Sequence, residues 1–303
     1  MLHLPATPLL AALKCNNNLL TLLRISTASQ LAILWCDDNQ LTSLDLPATP
    51  LLTDLRCHGN HLASLNICAG PLLASLNCDD NQLTSLDLSA VPLLTMLLCF
   101  GNQLTSLDLP ATPLLTDLRC HGNRLTSLNI CAGPLLASLN CDDNQLTSLD
   151  LSAVPLLTHL NCDNNYLASL KLSAANQLSV LSCNNSELTS LDLSATPQVS
   201  RLKCDDNYLT SLNLSHVPQL TDLECNNNEL TYLNLSAVPM LAGLSCDDNL
   251  LTSLDLSAAC QLFTLSCSNN QLTELDIRPL EFLYELSYDS EKTRLIQRPD
   301  QNF

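Results

Sequence analysis

Glycine, aromatic rings and positive charge are all scarce in this chain. Its 303 residues include six glycines, one tryptophan, five tyrosines and four phenylalanines. An ordinary globular core draws much of its buried area from large rings, so this interior must be filled another way. Twelve basic residues stand against thirty acidic ones, a formal net charge of −18. A nucleic acid would need a basic patch to approach, and an anionic membrane surface would need the same. Both are excluded as partners. No uninterrupted apolar run approaches the roughly 18 residues that a spanning helix requires. The N-terminus, MLHLPATPLLAALKC, carries no basic region, and Pro5 and Pro8 break its apolar stretch. It does not read as a cleavable secretion signal. A glycine-rich phosphate loop, a G-x-S-x-G elbow, an H-E-x-x-H pair and a C-x-x-C cluster are also missing. No residue is assigned a catalytic role, no cofactor or metal is expected, and the chain reads as a non-enzyme.

What is abundant is leucine, at 77 residues, and cysteine, at 16. Thirteen of the cysteines form one series: Cys15, Cys36, Cys57, Cys78, Cys99, Cys120, Cys141, Cys162, Cys183, Cys204, Cys225, Cys246 and Cys267, each 21 residues after the last. The next term is Tyr288. On this step the chain reads L-x-x-L-x-C-x-x-N-x-L-T-S-L-D-L-S-x-x-P-x. Fourteen such frames run from Leu10 to Phe303, after nine residues that match the second half of a frame. The array proper covers 1–282 and starts in mid-repeat. The frame 283–303 is degenerate and is expected to cap the array, since the end of a stack faces water. Residues 39–95 match 102–158 at 55 of 57 positions, a three-repeat block copied as a unit.

The apolar spacing explains why this period builds a solenoid. Within one frame Leu52, Leu55, Cys57, Leu62, Leu65 and Ile67 form two L-x-x-L-x-L/C patterns. The end of each alternates inward and outward, which is strand periodicity. One coil cannot bury its apolar side alone, but coils stacked about 4.8 Å apart as parallel ladders can. No segment with helical period is left over.

L-x-x-L-x-C-x-x-N-x-L resembles the leucine-rich repeat signature, with Cys where Leu is commoner. The whole frame resembles the 21-residue bacterial class, sometimes called IRREKO, over essentially all 303 residues. The resemblance implies a β-rich leucine-rich repeat solenoid with few or no regular helices. It also implies a concave parallel sheet and an inward Asn that bonds backbone of its own and adjacent coils. It further implies protein partners bound on the concave face; proteins of this kind include effectors that intracellular bacterial pathogens deliver into host cells. Ser186 and Glu291 depart from the Asn column. Serine cannot span the same backbone groups, so a softer coil is expected around 184–188.

The repeated cysteine falls where an inward leucine belongs and reads as core. Sixteen thiols without a signal peptide point to a reducing compartment, either a cytoplasm or a host cell reached without a cleaved leader. Cys68, Cys131 and Cys260 lie near turns and are expected to be more exposed. Cys57-His58 and Cys120-His121 are chain neighbours that should point to opposite faces of a strand. Asp pairs follow the Cys at 37–38, 79–80, 142–143, 205–206 and 247–248, and read as a solvated edge. Only Asp142 and Asp163 share a column in adjacent coils, too few oxygens for calcium.

The second half of the frame is monotonous, whereas the first half varies at its outward positions, so specificity is sought there. Ile33 and Trp35 flank Leu34; Met96, Leu98 and Phe100 are outward in another coil, with Arg56 and Arg119 in neighbouring coils. Aromatics, Met and Arg on an exposed face make the composition of a binding hot spot. Lys14, Arg56, Arg119, Arg201 and Lys203 are read as one basic column suited to an acidic or polar partner, and Tyr166 and Tyr208 as rim residues. The leading expectation is a protein-binding scaffold; the alternative is a structural or surface adhesion array. Leu2, Leu4, Leu9 and Leu10 face the open end of the stack, where end-to-end self-association is expected.

Overall fold

The computed structural model describes residues 1–4, 7–25, 28–46, 49–67, 70–109, 112–130 and 133–303. Cys68 and Cys131 therefore lie outside the described residues. The chain forms two compact units, Met1–Leu146 with Ala153–Leu157, and Thr147–Ser152 with Thr158–Phe303. Each is a parallel β-solenoid, and no helix occurs among the described residues.

In the first unit seven three-residue strands follow one another: Ala12–Lys14, Ile33–Trp35, Asp54–Arg56, Ser75–Asn77, Met96–Leu98, Asp117–Arg119 and Ser138–Asn140. Each pairs with the next in parallel, and the register advances by one repeat, as in Leu34↔Leu55 and Leu76↔Leu97. The second unit has the same build, from His159–Asn161 through Val180–Ser182, Arg201–Lys203, Asp222–Glu224, Gly243–Ser245 and Thr264–Ser266 to Glu285–Ser287. The strands are short because a 21-residue coil must turn soon after crossing its sheet.

The second half of the frame was expected to form an equivalent ladder and does so only in places. Leu107–Asp108 pairs with Leu128–Asn129 in the first unit, and Leu149–Asp150 with Leu170–Lys171 in the second. Leu2–His3 also pairs with Leu23–Arg24, and Glu274–Asp276 with Arg294–Ile296; between these pairs the described residues of that side are extended chain with turns. In paired and unpaired coils alike the proline region folds as two successive tight turns, as in Val91 N–H to Leu88 O at 3.2 Å and Leu94 N–H to Val91 O at 3.2 Å. These spend the chain's hydrogen bonds within the coil rather than between coils.

The core is a set of columns. Leu52, Leu55, Leu62 and Leu65 of one coil stack on Leu73, Leu76, Leu83 and Leu86 of the next, all buried, with the cysteines between them. Within the last frame, Arg294–Ile296 pairs with Glu274–Asp276 on a step of 20 rather than 21. There the Gln301 amide donates to the Ile277 and Leu280 carbonyls. At the other end Leu9 is exposed, while Leu2, Leu4 and Leu10 are half-buried.

Candidate protein-binding face

From Ile33–Trp35 onward each three-residue strand of the first unit buries its middle leucine and turns the residues on either side outward, as strand alternation requires, while Leu13 of Ala12–Lys14 is half-buried. The pairing registers generate two outward columns. One runs Ala12, Ile33, Asp54, Ser75, Met96 and Asp117; the other runs Lys14, Trp35, Arg56, Asn77, Leu98 and Arg119. Ile33, Trp35 and Arg56 thus form one cluster, and Met96, Leu98 and Arg119 a second. Trp35 and Leu98 are three strands apart, about 14 Å at sheet spacing.

Trp35 is held on both faces by cations. Lys14 Nζ lies 3.6 Å from its ring centroid and Arg56 Cζ 4.2 Å from it. The indole Nε1 donates to Asp54 Oδ2 at 2.8 Å, and the same carboxylate pairs with Arg56 Nε at 3.5 Å. Register makes this stack possible, since Lys14, Trp35 and Arg56 are direct lateral partners. Each cation–π contact is worth about 0.5–1 kcal/mol at such an exposed site. The ring is therefore fixed in place, with its edge rather than its faces turned to solvent.

The second cluster is more open. Met96 is 40% exposed, Leu98 half-buried, and Arg119 pairs with Asp117 of its own strand at 3.3 Å. Phe100 lies beyond the strand, in the turn after Cys99, and stacks on His121 with ring centroids 4.4 Å apart. It is thus partly occupied by an intramolecular contact. From sequence His121 is read only beside Cys120 and not as a neighbour of Phe100, although their shared column was visible.

The basic column needs correction. Arg201 pairs laterally with Val180 and Asp222, in the outward column before the central leucine, while Lys203 stands in the one after it. The bases are also not free: Arg201 faces Asp222 at 3.6 Å and Lys203 faces Glu224 at 3.0 Å. An acidic partner would have to displace these carboxylates. Beside them, Gly243 leaves a notch of about 280 Å³ in the strand face, lined by Asp222, Glu224, Ser245 and Thr264. Tyr166 and Tyr208, read as rim residues, flank a polar hollow of about 540 Å³ that also contains Ser186 and Glu187.

The paired acids are likewise not a uniformly solvated edge. The first member is the less exposed: Asp37 and Asp79 are buried, and Asp142, Asp205 and Asp247 are half-buried. Asp79 Oδ1 accepts the Phe100 N–H at 2.9 Å, and Asp205 Oδ1 accepts the Asn226 N–H at 2.6 Å, each capping the next coil's turn. Burial pushes the Asp79 carboxyl up to about 7 and that of Asp205 up to about 6. Burial also raises Asp37, against the opposing pull of His58, whose Nδ1 is 3.0 Å from Asp37 Oδ1. The second member occupies the left-handed region, as at Asp38, Asp80 and Asp206, where other coils carry Asn or Gly. The D-D, N-N, H-G and F-G alternation is thus a backbone requirement, since only Asn, Asp and Gly enter this region readily.

The ladder cysteines from Cys36 to Cys267 are buried free thiols. Several donate to the carbonyl of the next coil, as Cys36 Sγ to Arg56 O at 3.4 Å and Cys246 Sγ to Ser266 O at 3.5 Å. Burial raises every resolved ladder thiol, Cys120 and Cys267 to about 12, which suits core packing rather than nucleophilic chemistry. Cys260 is half-buried, its Sγ 3.2 Å from the Ser257 carbonyl. Among the described residues no three His, Cys, Asp or Glu side chains converge as a metal-ligand set.

One surface feature was missed. Leu51, Leu72, Leu93, Leu114, Leu135 and Leu156 are each 38–47% exposed. Their signal was the doubled leucine after proline, because two consecutive residues in a tight turn cannot both face the core.

No known family profile matches the chain, and no curated protein matches it. Among solved structures, the functional domain of InlJ from Listeria monocytogenes, described as including a cysteine ladder, is 35% identical with a TM-score of 0.86. That match covers 95% of this chain and 64% of the Listeria chain, so this chain spans less than two thirds of its relative. A leucine-rich repeat protein of Leptospira interrogans is 25% identical, with a TM-score of 0.83 over 92% of this chain and 79% of that one. YopM, a leucine-rich effector protein from Yersinia pestis, is 26% identical, with a TM-score of 0.66 over 92% and 89%. With its 21-residue step, inward leucines and cysteines and parallel strands, this chain has the leucine-rich repeat fold and is similar to these bacterial proteins.

Proposed function

We propose that the chain is a non-catalytic protein-binding scaffold whose specific contacts lie on the strand face of the first unit. The observation that carries this reading is the Lys14–Trp35–Arg56 stack, fixed by Asp54 beside Ile33. A ring immobilised before binding loses little entropy on association, and Trp and Arg dominate measured hot spots. Met96, Leu98, Phe100 and Arg119 extend the surface three coils further along. Apolar and amphipathic groups interleave there with ion pairs, which suits a protein partner better than a small charged ligand. The fold-level likeness to InlJ and YopM supports a scaffold role.

The finer assignment is a translocated bacterial effector working in a reducing compartment. It is supported by the many free ladder thiols and the likeness to a protein described as a leucine-rich effector. The test is affinity capture from eukaryotic and bacterial lysates with the parent chain, Trp35→Ala and Leu98→Asp. A saturable partner lost with either substitution supports the face, and a partner retained by both removes it. A secretion reporter fused to the chain separates translocated from resident protein. Sedimentation of the parent beside Leu9→Asp tests end-to-end association, which the exposed Leu9 would mediate.

A further inference from the structure

Six exposed leucines of the first unit fall in one column. Leu51, Leu72, Leu93, Leu114, Leu135 and Leu156 are each one repeat apart, and each follows an exposed proline, from Pro50 to Pro155. Coil stacking beside them is firm, with Ala74 N–H to Thr53 O at 2.9 Å and Thr116 N–H to Thr95 O at 2.8 Å. Six coils at sheet spacing make a ridge about 24 Å long. A few hundred Å² of contiguous apolar surface is the size at which an exposed patch marks an interaction site. The second unit supplies an internal control. Its corresponding column carries Gln177, Gln198, Gln219 and Gln261, with Met240 and Phe282 as its apolar members, so the fold does not require leucine there.

Charge and backbone geometry select the occupant. The exposed Asp45, Asp87 and Asp108 precede the ridge in their own coils. The chain from Leu88 to Leu94 is two tight turns, each closing to less than about 7 Å, so acids and ridge border the same corner. No Lys, Arg or His occurs in 41–51, 62–72, 83–93 or 104–114. A second copy would bring like charges together, and an anionic bilayer would be repelled. The backbone of the ridge is already engaged in its turns, as Leu73 N–H to Gly70 O and Leu115 N–H to Thr112 O show. It offers no edge for an added strand. An α-helix needs none, because its backbone bonds are internal.

We propose that this Pro-Leu ridge docks a basic amphipathic α-helix of a partner protein. About 16 residues of helix match its length, with the apolar stripe on the leucines and Lys or Arg facing Asp45, Asp87 and Asp108. The surface is separate from the strand face and does not depend on that assignment.

The test uses an 18-residue Leu–Lys amphipathic helical peptide as probe, with a Leu–Glu helix of the same pattern as control. Binding is read by fluorescence anisotropy against the parent, L72Q/L93Q/L114Q, D45N/D87N/D108N and W35A. Circular dichroism and thermal melts check folding, and Leu93→Gln alone serves if the triple variant fails to fold. We expect saturable binding of the Leu–Lys helix to the parent, weakened at least tenfold by the leucine variant and severalfold by the aspartate variant. W35A should bind as the parent does. Equal binding by parent and leucine variant, with all charges unchanged, overturns the proposal, as does equal binding of the Leu–Glu helix. Self-association of the parent that the leucine variant abolishes would assign the ridge to a second copy, and leucine-dependent binding to neutral phosphatidylcholine vesicles would assign it to lipid. Either result also overturns the proposal.

Discussion

The Asn81 side-chain amide nitrogen lies 3.0 Å from the Cys57 carbonyl of the preceding coil. The same nitrogen reaches the Cys78 and Asp79 carbonyls at 3.1 and 2.9 Å, while Asn81 Oδ1 accepts the Leu62 N–H at 3.0 Å. One buried side chain therefore pins two coils together and satisfies turn groups that have no ladder partner. Asn39, Asn60, Asn102 and Asn207 repeat the arrangement. Replacing Asn81 with Ala leaves these buried groups unmatched and should cost about 2–4 kcal/mol. Urea denaturation of parent and variant measures it, and a loss below 0.5 kcal/mol would contradict this role (roughly the scatter of neutral surface substitutions).

Ser186 tests the same column in the opposite direction. Its hydroxyl reaches only as far as the Asn184 carbonyl, at 3.4 Å. Ser186→Asn should restore the bridge and stabilise the second unit by about 1–2 kcal/mol. Hydrogen exchange at 184–188 should also slow in the variant. Unchanged exchange with unchanged stability would mean the gap at Ser186 costs nothing.

Asp79 should act as a pH-dependent weakness. Its folded-state carboxyl is raised to about 7 from an ordinary 3.8, chiefly by burial. Between about pH 4 and pH 7 the folded protein holds a proton that the unfolded chain releases, so stability falls as pH rises through that window. Above it the penalty is fully present. Asparagine can accept the same turn N–H: Asn184 Oδ1 takes that of Asp205 at 2.7 Å and Asn226 Oδ1 that of Asp247 at 2.8 Å. Asp79→Asn should therefore stabilise by about 1–3 kcal/mol at pH 8, with a gain that shrinks toward zero near pH 4. Parallel melts at pH 4, 6 and 8 decide it, and a pH-independent gain would point to another cause.

The period was legible because every coil solves one packing problem, so Leu52, Leu55 and Cys57 announce their columns by repetition. The inward Asn was legible only through the family resemblance, since spacing says nothing about which carbonyls it reaches. The Asp pairs misled because one sequence signal mixes two causes: Asp79 caps a turn, and Asp80 satisfies a left-handed backbone. The Lys14–Trp35–Arg56 stack depends on rotamers, which periodicity does not encode. The leucine ridge was overlooked for a different reason. Pro50-Leu51-Leu52 looks like core in a leucine-rich chain, and only the turn reveals which leucine is outside.

Thiol reactivity should separate the buried part of the ladder from half-buried Cys15 and Cys260. The ladder thiols from Cys36 to Cys267 are buried, and Cys120 titrates near 12. At pH 8 only about one in 10⁴ Cys120 groups would be thiolate, and that fraction is shielded from reagent. Half-buried Cys15 and Cys260 should alkylate first with iodoacetamide, and the ladder only after denaturant is added. Peptide mapping after timed quenching reads this directly. Modification of Cys120 as fast as Cys260 in the native protein would contradict the buried column.

Three turn positions carry glycine in the left-handed region, and two of them differ in what lies above. At Gly59, with φ +61°, an added Cβ would come 2.5 Å from Asp38 Oδ1 of the previous coil. At Gly122, with φ +62°, it would meet only Gly101 backbone, at 3.5 Å or more. Both alanine substitutions bear the conformational cost of a left-handed L-residue, about 1–2 kcal/mol. Gly59→Ala must also displace the Asp38 carboxylate, so it should lose more than Gly122→Ala. In an Asp38→Ala background that excess should vanish, bringing the two glycine positions to equal cost. A double-mutant cycle by chemical denaturation isolates the coupling. Equal losses at the two positions in the parent background would show that Asp38 moves aside freely, and that backbone conformation alone selects glycine in this column.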